Sequence, residues 1–475
     1  MQFPTVTFVV FFGVVLTGAW TLHGHVRLRK LWLIAAGGWF YAAWDPRFVA
    51  LLAGVVVATW GGGHLVARTE GRRRAAIMAA GIAADLTLLG FFKYYDFFAA
   101  SVTTWFARLG VHAAPPLLQV ALPVGVSFFT FQAISYLVDV RRNRVAAASL
   151  VDIAAWLTFF PTVTSGPITR AGEFVPQLAR PLRPVRADLA RAYWLIGRGL
   201  LKKLVLASYL ATAITDKAFA DPSSYSALTL LVAVYAYAAQ IYCDFSGYTD
   251  LAIGIGRLLG FVLPENFDRP YTAVSVQDFW SRWHMTLSRW LRDYLYVPFA
   301  GRAPYRPARV YASLVSVMLI AGLWHGAAWG FVVFGGVHGV AMAIERARRD
   351  RRRRLRRPPR PRTWRTQLVA RVVTFHVVCL GWVFFGTHTL GRATDVLTGI
   401  VTNWGRPITA LTPLLVMAVA ATIASQFLPR PRTDRLFGWV AGLHPLAQGA
   451  AFALALVPVL AMGPTTVPAF IYYRF

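Results

Sequence analysis

The sequence predicts an all-α polytopic membrane protein, and three observations carry that prediction. Of its 475 residues, 57% are hydrophobic and 15% charged, and the mean hydropathy is +0.50, far from the averages of soluble domains. Apolar runs recur near residues 5–22, 31–44, 48–66, 76–92, 118–138, 189–214, 226–243, 247–263, 310–343, 366–386, 408–427 and 446–463, and a crossing needs about 20 such residues. The basic residues gather in short connections between these runs. Roughly ten to twelve crossings follow, some of them short or re-entrant. No stretch is large enough for a separate soluble domain and no tandem repeat is present, so residues 1–475 read as one integral membrane domain.

Taken in order, the first run has neither a basic segment before it nor a small-residue cleavage site after it, and reads as a retained helix. Basic clusters at His23 to Lys30, Arg68 to Arg74, Arg141 to Arg144 and Arg346 to Arg362 fall in the cytoplasm by the positive-inside rule. The N-terminus, the Asp45–Pro46 turn and the connection from Lys93 to Pro116 are then outside. Tracing the last three runs past the basic turn at Arg430 to Arg435 places the C-terminus outside too. The net charge of +29 therefore reports orientation. Its arginines are not interleaved with aromatics on a soluble face, which argues against nucleic acid as a partner. The longest cluster, "RARRDRRRRLRRPPRPR", reads as a disordered cytoplasmic loop beside anionic membrane lipid, where each cation contributes about 1 kcal/mol.

Several chemistries have no signature here. Cys243 and Cys379 sit in separate apolar runs and offer neither a disulfide framework nor metal-ligand spacing. HExxH, GxSxG and Walker A motifs are missing, which disfavours membrane metalloproteases, serine hydrolases and ATP-driven pumps.

Two segments break the apolar pattern. "DFWSRWHMTLSRWLRDYLYVPFAG", Asp278 to Gly301, carries Arg282, Arg289 and Arg292 near its middle, each costing about 2.5–3.5 kcal/mol at the centre of an isolated span. It does not cross alone. As one amphipathic helix it places Trp280, Trp283, Leu287, Trp290 and Tyr294 on or near one face, with His284 one turn after Trp280. Both an interfacial anchor and the lining of a protein-walled cavity suit such a helix.

The second segment is "IAGLWHGAAWGFVVFGGVHG", Ile320 to Gly339, in which Gly322, Gly326 and Gly330 recur every four residues. A face without side chains admits either another helix or a long thin ligand. Beside it lies His325. A histidine in an apolar helix is ordinarily a packed core residue, but an intramembrane ionisable group is also a functional candidate, and burial favours the neutral imidazole that a general base requires. His338 reads as structural. Asp244, Asp250, Glu265, Asn266 and Asp268 cluster in two polar motifs, where they either orient a substrate or cap helices.

The ordered motifs "GFFKYYDFF" from Gly90, "LPVGVSFFTFQAISYLVDV" from Leu122, "FFPTVTSGPITRAGEFVPQL" from Phe159, "GLLKKLVLASYLA" from Gly199, "QIYCDFSGYTDLAIGIGRLLGF" from Gln240 and "LPENFDRPY" from Leu263 join these two segments. Over residues 90–340 the chain resembles the membrane-bound O-acyltransferase family, in its bacterial polysaccharide and cell-wall polymer O-acetylation subgroup of the alginate O-acetylase type. The resemblance implies a ring of tilted helices around a central tunnel, with re-entrant or interfacial helices. It implies catalytic roles for His325 of the WHG motif and for His284 of the RWH motif as its partner. Gly322, Gly326, Trp283, Asn266 and Asp244 become substrate-binding candidates. No permanently bound cofactor or metal is implied; acetyl-CoA or another acyl thioester is the expected donor, and a surface polymer the indirect acceptor. The implied setting is the bacterial cytoplasmic membrane.

The final residues "FIYYRF", Phe470 to Phe475, suit an interfacial aromatic anchor. They also resemble the subgroup's C-terminal tyrosine motif, which implies that Tyr472 relays the acyl group to a separate extracytoplasmic esterase-like transferase. Ser165 and the "VPFAG" ending depart from the family pattern without removing a reacting group. A transporter or flippase of a lipid-linked sugar or small solute is the competing reading of the same cavity.

Overall fold

The computed structural model describes residues 3–111, 115–119, 121–182, 186–301, 306–356, 358, 363–428, 435 and 438–464. Every regular element among them is helical. The chain divides into two compact units, one of Met1–Ile196, Asp250–Pro264 and Ala441–Gly449, the other of Gly197–Thr249, Glu265–Val440 and Ala450–Phe475.

The first unit begins with α1 (Val6–Thr21), α2 (Val26–Ala42), α3 (Arg47–Arg68), α4 (Gly71–Arg108) and α5 (Val126–Arg141). Thr5 caps α1 by accepting the Phe8 N–H at 3.2 Å, the usual way to satisfy an orphan donor at a helix start. α4 is 38 residues long, or about 57 Å, so the stretch expected as a connection from Lys93 stays helical as far as Arg108. Close approach in this unit rests on glycine. A Cβ on Gly37 would strike the Thr158 carbonyl, and one on Gly63 would strike the Tyr136 ring. The core is aromatic, with Phe159, Phe174 and Phe261 rings 4.9–5.0 Å apart. A salt bridge of 2.5 Å joins Lys30 to Asp152.

The apolar runs 226–243 and 247–263 are one helix, α6 (Ala227–Leu258), whose residues up to Thr249 belong to the second unit. The polar stretch between the two runs remains helical because its groups find partners: Asp244 meets Lys203, and Gly247 lies against the backbone of Gly199 and Lys203. In the second unit follow α7 (Val276–Trp280), α8 (Met285–Leu291), α9 (Pro307–His325), α10 (Trp329–Arg354) and α11 (Trp364–Thr387). Among the described residues α3, α4, α6, α9 and α11 are long and apolar enough to cross a membrane, and three further apolar helices are shorter.

Three expectations are corrected here. The run 310–343 is not continuous: α9 ends at His325, Gly326 takes an extended conformation, and α10 starts at Trp329. The two helices form an antiparallel hairpin in which Gly335 lies under the Met318 carbonyl and Gly339 near Val315. The helix expected from Asp278 to Gly301 breaks at His284, which adopts the left-handed φ of 43°. The arginine cluster is not a loop from its start, since α10 continues through Arg354. Asp350 holds it by accepting from Arg346 and from the Tyr311 hydroxyl at 3.1 Å, and Glu345 accepts the Val276 N–H at 2.7 Å. Cations in a last turn also complement the negative end of the helix dipole.

Candidate active site

The site is built around a non-local hydrogen-bond cluster in the second unit. Asn266 is fully buried. Its backbone carbonyl accepts the Met285 N–H at 2.9 Å, and its Oδ1 accepts the Thr286 N–H at 3.1 Å and the Thr286 hydroxyl at 2.9 Å. The first turn of α8 is thus capped by a residue eighteen positions before His284. This grip holds His284 in a backbone region that a β-substituted residue seldom occupies.

The same cluster selects the tautomer of His284. The Thr286 N–H can only donate, so the amide atom facing it is oxygen. His284 Nδ1 lies 3.2 Å from that oxygen and must carry the ring proton. Nε2 is left with the lone pair; it is buried and has no hydrogen-bond partner among the described residues. Lying between the spanning helices α6 and α9, His284 is held neutral, burial pushing it from its ordinary 6.5 down to about 3.

The walls are aromatic. Phe245 meets His284 edge-on at 4.7 Å. The Trp324 ring centroid is 6.0 Å from that of His284 and 4.9 Å from that of His325. One indole therefore stands beside both imidazoles. His325, the last residue of α9 and 3% exposed, is further enclosed by Phe334 at 5.7 Å and Phe385 at 5.2 Å. His338 is packed in the same wall, with Phe334 at 4.8 Å and Trp280 at 5.4 Å.

The other sequence candidates separate. Trp283 is buried among Phe279, Phe267 and Trp382 at 4.9–5.5 Å, a structural brace for the segment that carries His284. Asn266 grips His284 itself. Asp244 accepts from Lys203 Nζ at 2.5 Å in a pair that is almost wholly buried. Lys203 was the residue missed by sequence reasoning, although a lysine inside the run 189–214 is itself a signal of a buried partner. Of the two uses open to the glycine spacing, the structure takes the first: a Cβ on Gly322 would meet the Phe331 carbonyl and Gly335 Cα, one on Gly326 the Phe331 ring, and one on Gly330 the Phe384 carbonyl. The chain's own α10 and α11 supply the atoms that approach these three glycines. Tyr472 and the rest of residues 470–475 lie outside the described residues, as do 430–434 of the basic turn. No group of three or more metal-ligating side chains occurs among the described residues.

Fold and site define a multi-pass helical membrane protein that holds histidines, one of them locked in a single tautomer, inside an aromatic interior. The model of the membrane-bound O-acyltransferase family matches residues 122–388, and the chain belongs to that family. It is 37% identical over 393 residues to the probable alginate O-acetylase AlgI of Pseudomonas aeruginosa, covering 82% of this chain and 73% of that protein. It is 34% identical over 401 residues to the peptidoglycan O-acetyltransferase of Helicobacter pylori, covering 78% and 73%. With the teichoic acid D-alanyltransferase of Bacillus subtilis it shares 30% identity over 271 residues, 55% of this chain and 68% of that one.

Proposed function

We propose that the protein transfers an acetyl group from a cytoplasmic thioester, acetyl-CoA, for O-acylation of an extracytoplasmic polysaccharide or cell-wall polymer. The observation that carries this reading is the pair of buried imidazoles, His284 and His325, beside the single indole of Trp324. His325 takes the proton of the acceptor hydroxyl as its oxygen attacks the thioester carbonyl. The carbon–sulfur bond then breaks, the ester remains on the acceptor, and the departing thiolate receives the proton. His284, neutral and with a buried Nε2 that has no hydrogen-bond partner among the described residues, is the partner of His325 in orienting the reacting groups. The first acceptor is the phenol of Tyr472, whose ester is more activated than an alkyl one, and a separate extracytoplasmic esterase-like transferase moves the group to the polymer. Relatives named for acylating alginate, peptidoglycan and teichoic acid support a surface polymer as the final acceptor. The protein acts in the bacterial cytoplasmic membrane with both termini outside.

Purified protein reconstituted with radiolabelled acetyl-CoA tests the reading. Release of free CoA, abolished in His325→Ala with unchanged expression, is the expected result, together with an acetylated peptide containing Tyr472 that is lost in Tyr472→Phe. Retained turnover in His325→Ala would remove that residue from the chemistry. No turnover by the wild type with an acceptor supplied would favour transport of a lipid-linked sugar or small solute.

A further inference from the structure

We infer that a polar pocket in the second unit is a binding site for one sugar ring of a polysaccharide. It is built from the helical turns Ala211–Thr215 and Asp216–Ala220, from α6, from the end of α11 and from the helix Leu390–Thr402. The cavity measures about 170 Å³. A cavity of about 150 Å³ holds one benzene molecule, so there is room for a single six-membered ring. Thr215, Phe219, Tyr237 and Thr387 are buried at its floor, while Asp216, Ala220, His388 and Arg392 are exposed at its rim.

The lining decides what kind of ring fits. At the floor the Phe219 and Tyr237 rings lie 5.2 Å apart. A Cβ on Gly386 would come within 2.7 Å of Tyr237 and 2.8 Å of Phe219, so glycine is what lets the end of α11 close over this pair. Gln240 is 6% exposed. Its Oε1 accepts the Thr215 hydroxyl, and its Nε2, open to the pocket, has no partner among the described residues. A buried amide with an unmade bond beside a cavity calls for a polar atom from a ligand. Around the rim a carboxylate accepts, a guanidinium donates and an imidazole ring offers both functions. A hydroxyl group donates and accepts, so a ring bearing several of them matches this lining. A benzene-like ring would leave Nε2 unmatched, and a simple ion of either sign would meet one of Asp216 and Arg392 unfavourably.

The pocket adjoins the candidate active site. Phe331 lies 6.1 Å from His388 and 5.0 Å from Phe385, whose ring is 5.2 Å from His325. α11 is 24 residues long, or about 36 Å; it starts after the arginine-rich end of α10 in the chain and ends at the pocket. With those arginines in the cytoplasm, the pocket lies on the outer side, where a surface polymer is met. That the sugar belongs to the acylated polymer rests on the function proposed above, whereas the sugar site itself does not. It adds a direct hold on the polymer to a scheme in which the polymer is otherwise acylated through a relay.

The test measures binding without any acyl donor, so its outcome is independent of acetyl transfer. Full-length protein is held in lipid nanodiscs, since the headgroup of a maltoside detergent is itself a sugar. It is titrated with tri-N-acetylchitotriose and with trigalacturonate under saturation-transfer NMR. Binding of at least one trisaccharide is expected, and which one binds tells a neutral polymer from an acidic one. In Gln240→Leu the Thr215 hydroxyl still has the Leu210 and Ala211 carbonyls at 3.3 and 3.5 Å. That variant is expected to weaken binding about tenfold, the worth of one hydrogen bond. Ala220→Trp, at an exposed position on the rim, is expected to block the mouth and abolish binding while the gel-filtration profile stays monodisperse; it decides alone should Gln240→Leu not fold. Failure of both trisaccharides to bind, binding that survives Ala220→Trp, or tighter binding of 4-methylphenol than of either sugar overturns the inference.

Discussion

Asn266 Oδ1 lies 3.2 Å from His284 Nδ1 while taking two hydrogen bonds from Thr286. One amide oxygen thus sets both the backbone at the start of α8 and the tautomer of the histidine. Three groups depend on it, and removing it leaves buried donors unsatisfied, at about 1–3 kcal/mol each.

Asn266→Ala is expected to lower acetyl transfer by at least about tenfold and to destabilise the protein by roughly 2–5 kcal/mol, since the loss falls on several buried groups at once. Asn266→Asp keeps an acceptor oxygen but adds a negative charge beside the ring. That charge favours the imidazolium, so the acid limb of the activity profile should move to higher pH. A merely structural amide would leave the limb where it is, and steady-state rates from pH 5 to 9 distinguish the two.

His284 also makes stability depend on pH. Its pKa is about 3 in the folded protein against 6.5 as the ordinary value, so the unfolded chain binds the proton first. Stability present above about 6.5 is lost as the pH falls towards 3. Thermal unfolding in detergent should show a steeper fall from pH 7 to 4 for the wild type than for His284→Gln; parallel curves would refute the assignment.

The Lys203–Asp244 pair is nearly closed to solvent, with side-chain exposures of 4% and 11%. Breaking such a pair strands a charge and costs about 3–5 kcal/mol, whereas replacing both partners by apolar groups is often neutral. Asp244→Ala should therefore give little folded protein, and Lys203→Met with Asp244→Leu should recover it. If the double variant folds but binds the acceptor no more weakly than the wild type, Asp244 has no role in substrate binding.

Glycine substitutions separate packing from open space. Gly322→Val drives a side chain into the Phe331 carbonyl and the Gly335 backbone, and overpacking of this kind costs about 1–3 kcal/mol or more. The expected result is loss of monodisperse protein. Gly38→Ala, with nothing within 4 Å of the new carbon, should be neutral or raise the melting temperature slightly, because alanine is the better helix former.

The class of the protein, most of its helices and the candidate status of His284 and His325 could be read from the chain because the signals are local. An apolar run of spanning length, a basic connection and a histidine between tryptophans each announce themselves within about twenty residues. Even so, local periodicity ran 226–243 and 247–263 as two helices where one is found, and ran 310–343 as one where there are two. What the chain could not show in one dimension is who partners whom. Whether "CDFSGYTD" stays helical depends on Lys203, forty-one positions before Asp244. Whether the tryptophan-rich segment stays straight depends on Asn266, whose hydrogen bonds make the left-handed turn at His284 affordable. The glycine spacing did not show which neighbour Gly322 meets, and only the return of α10 brings the Phe331 carbonyl and Gly335 against it. Burial is the physical reason: away from water, each polar group must be satisfied by whatever the fold brings near, and that neighbour need not be close in sequence.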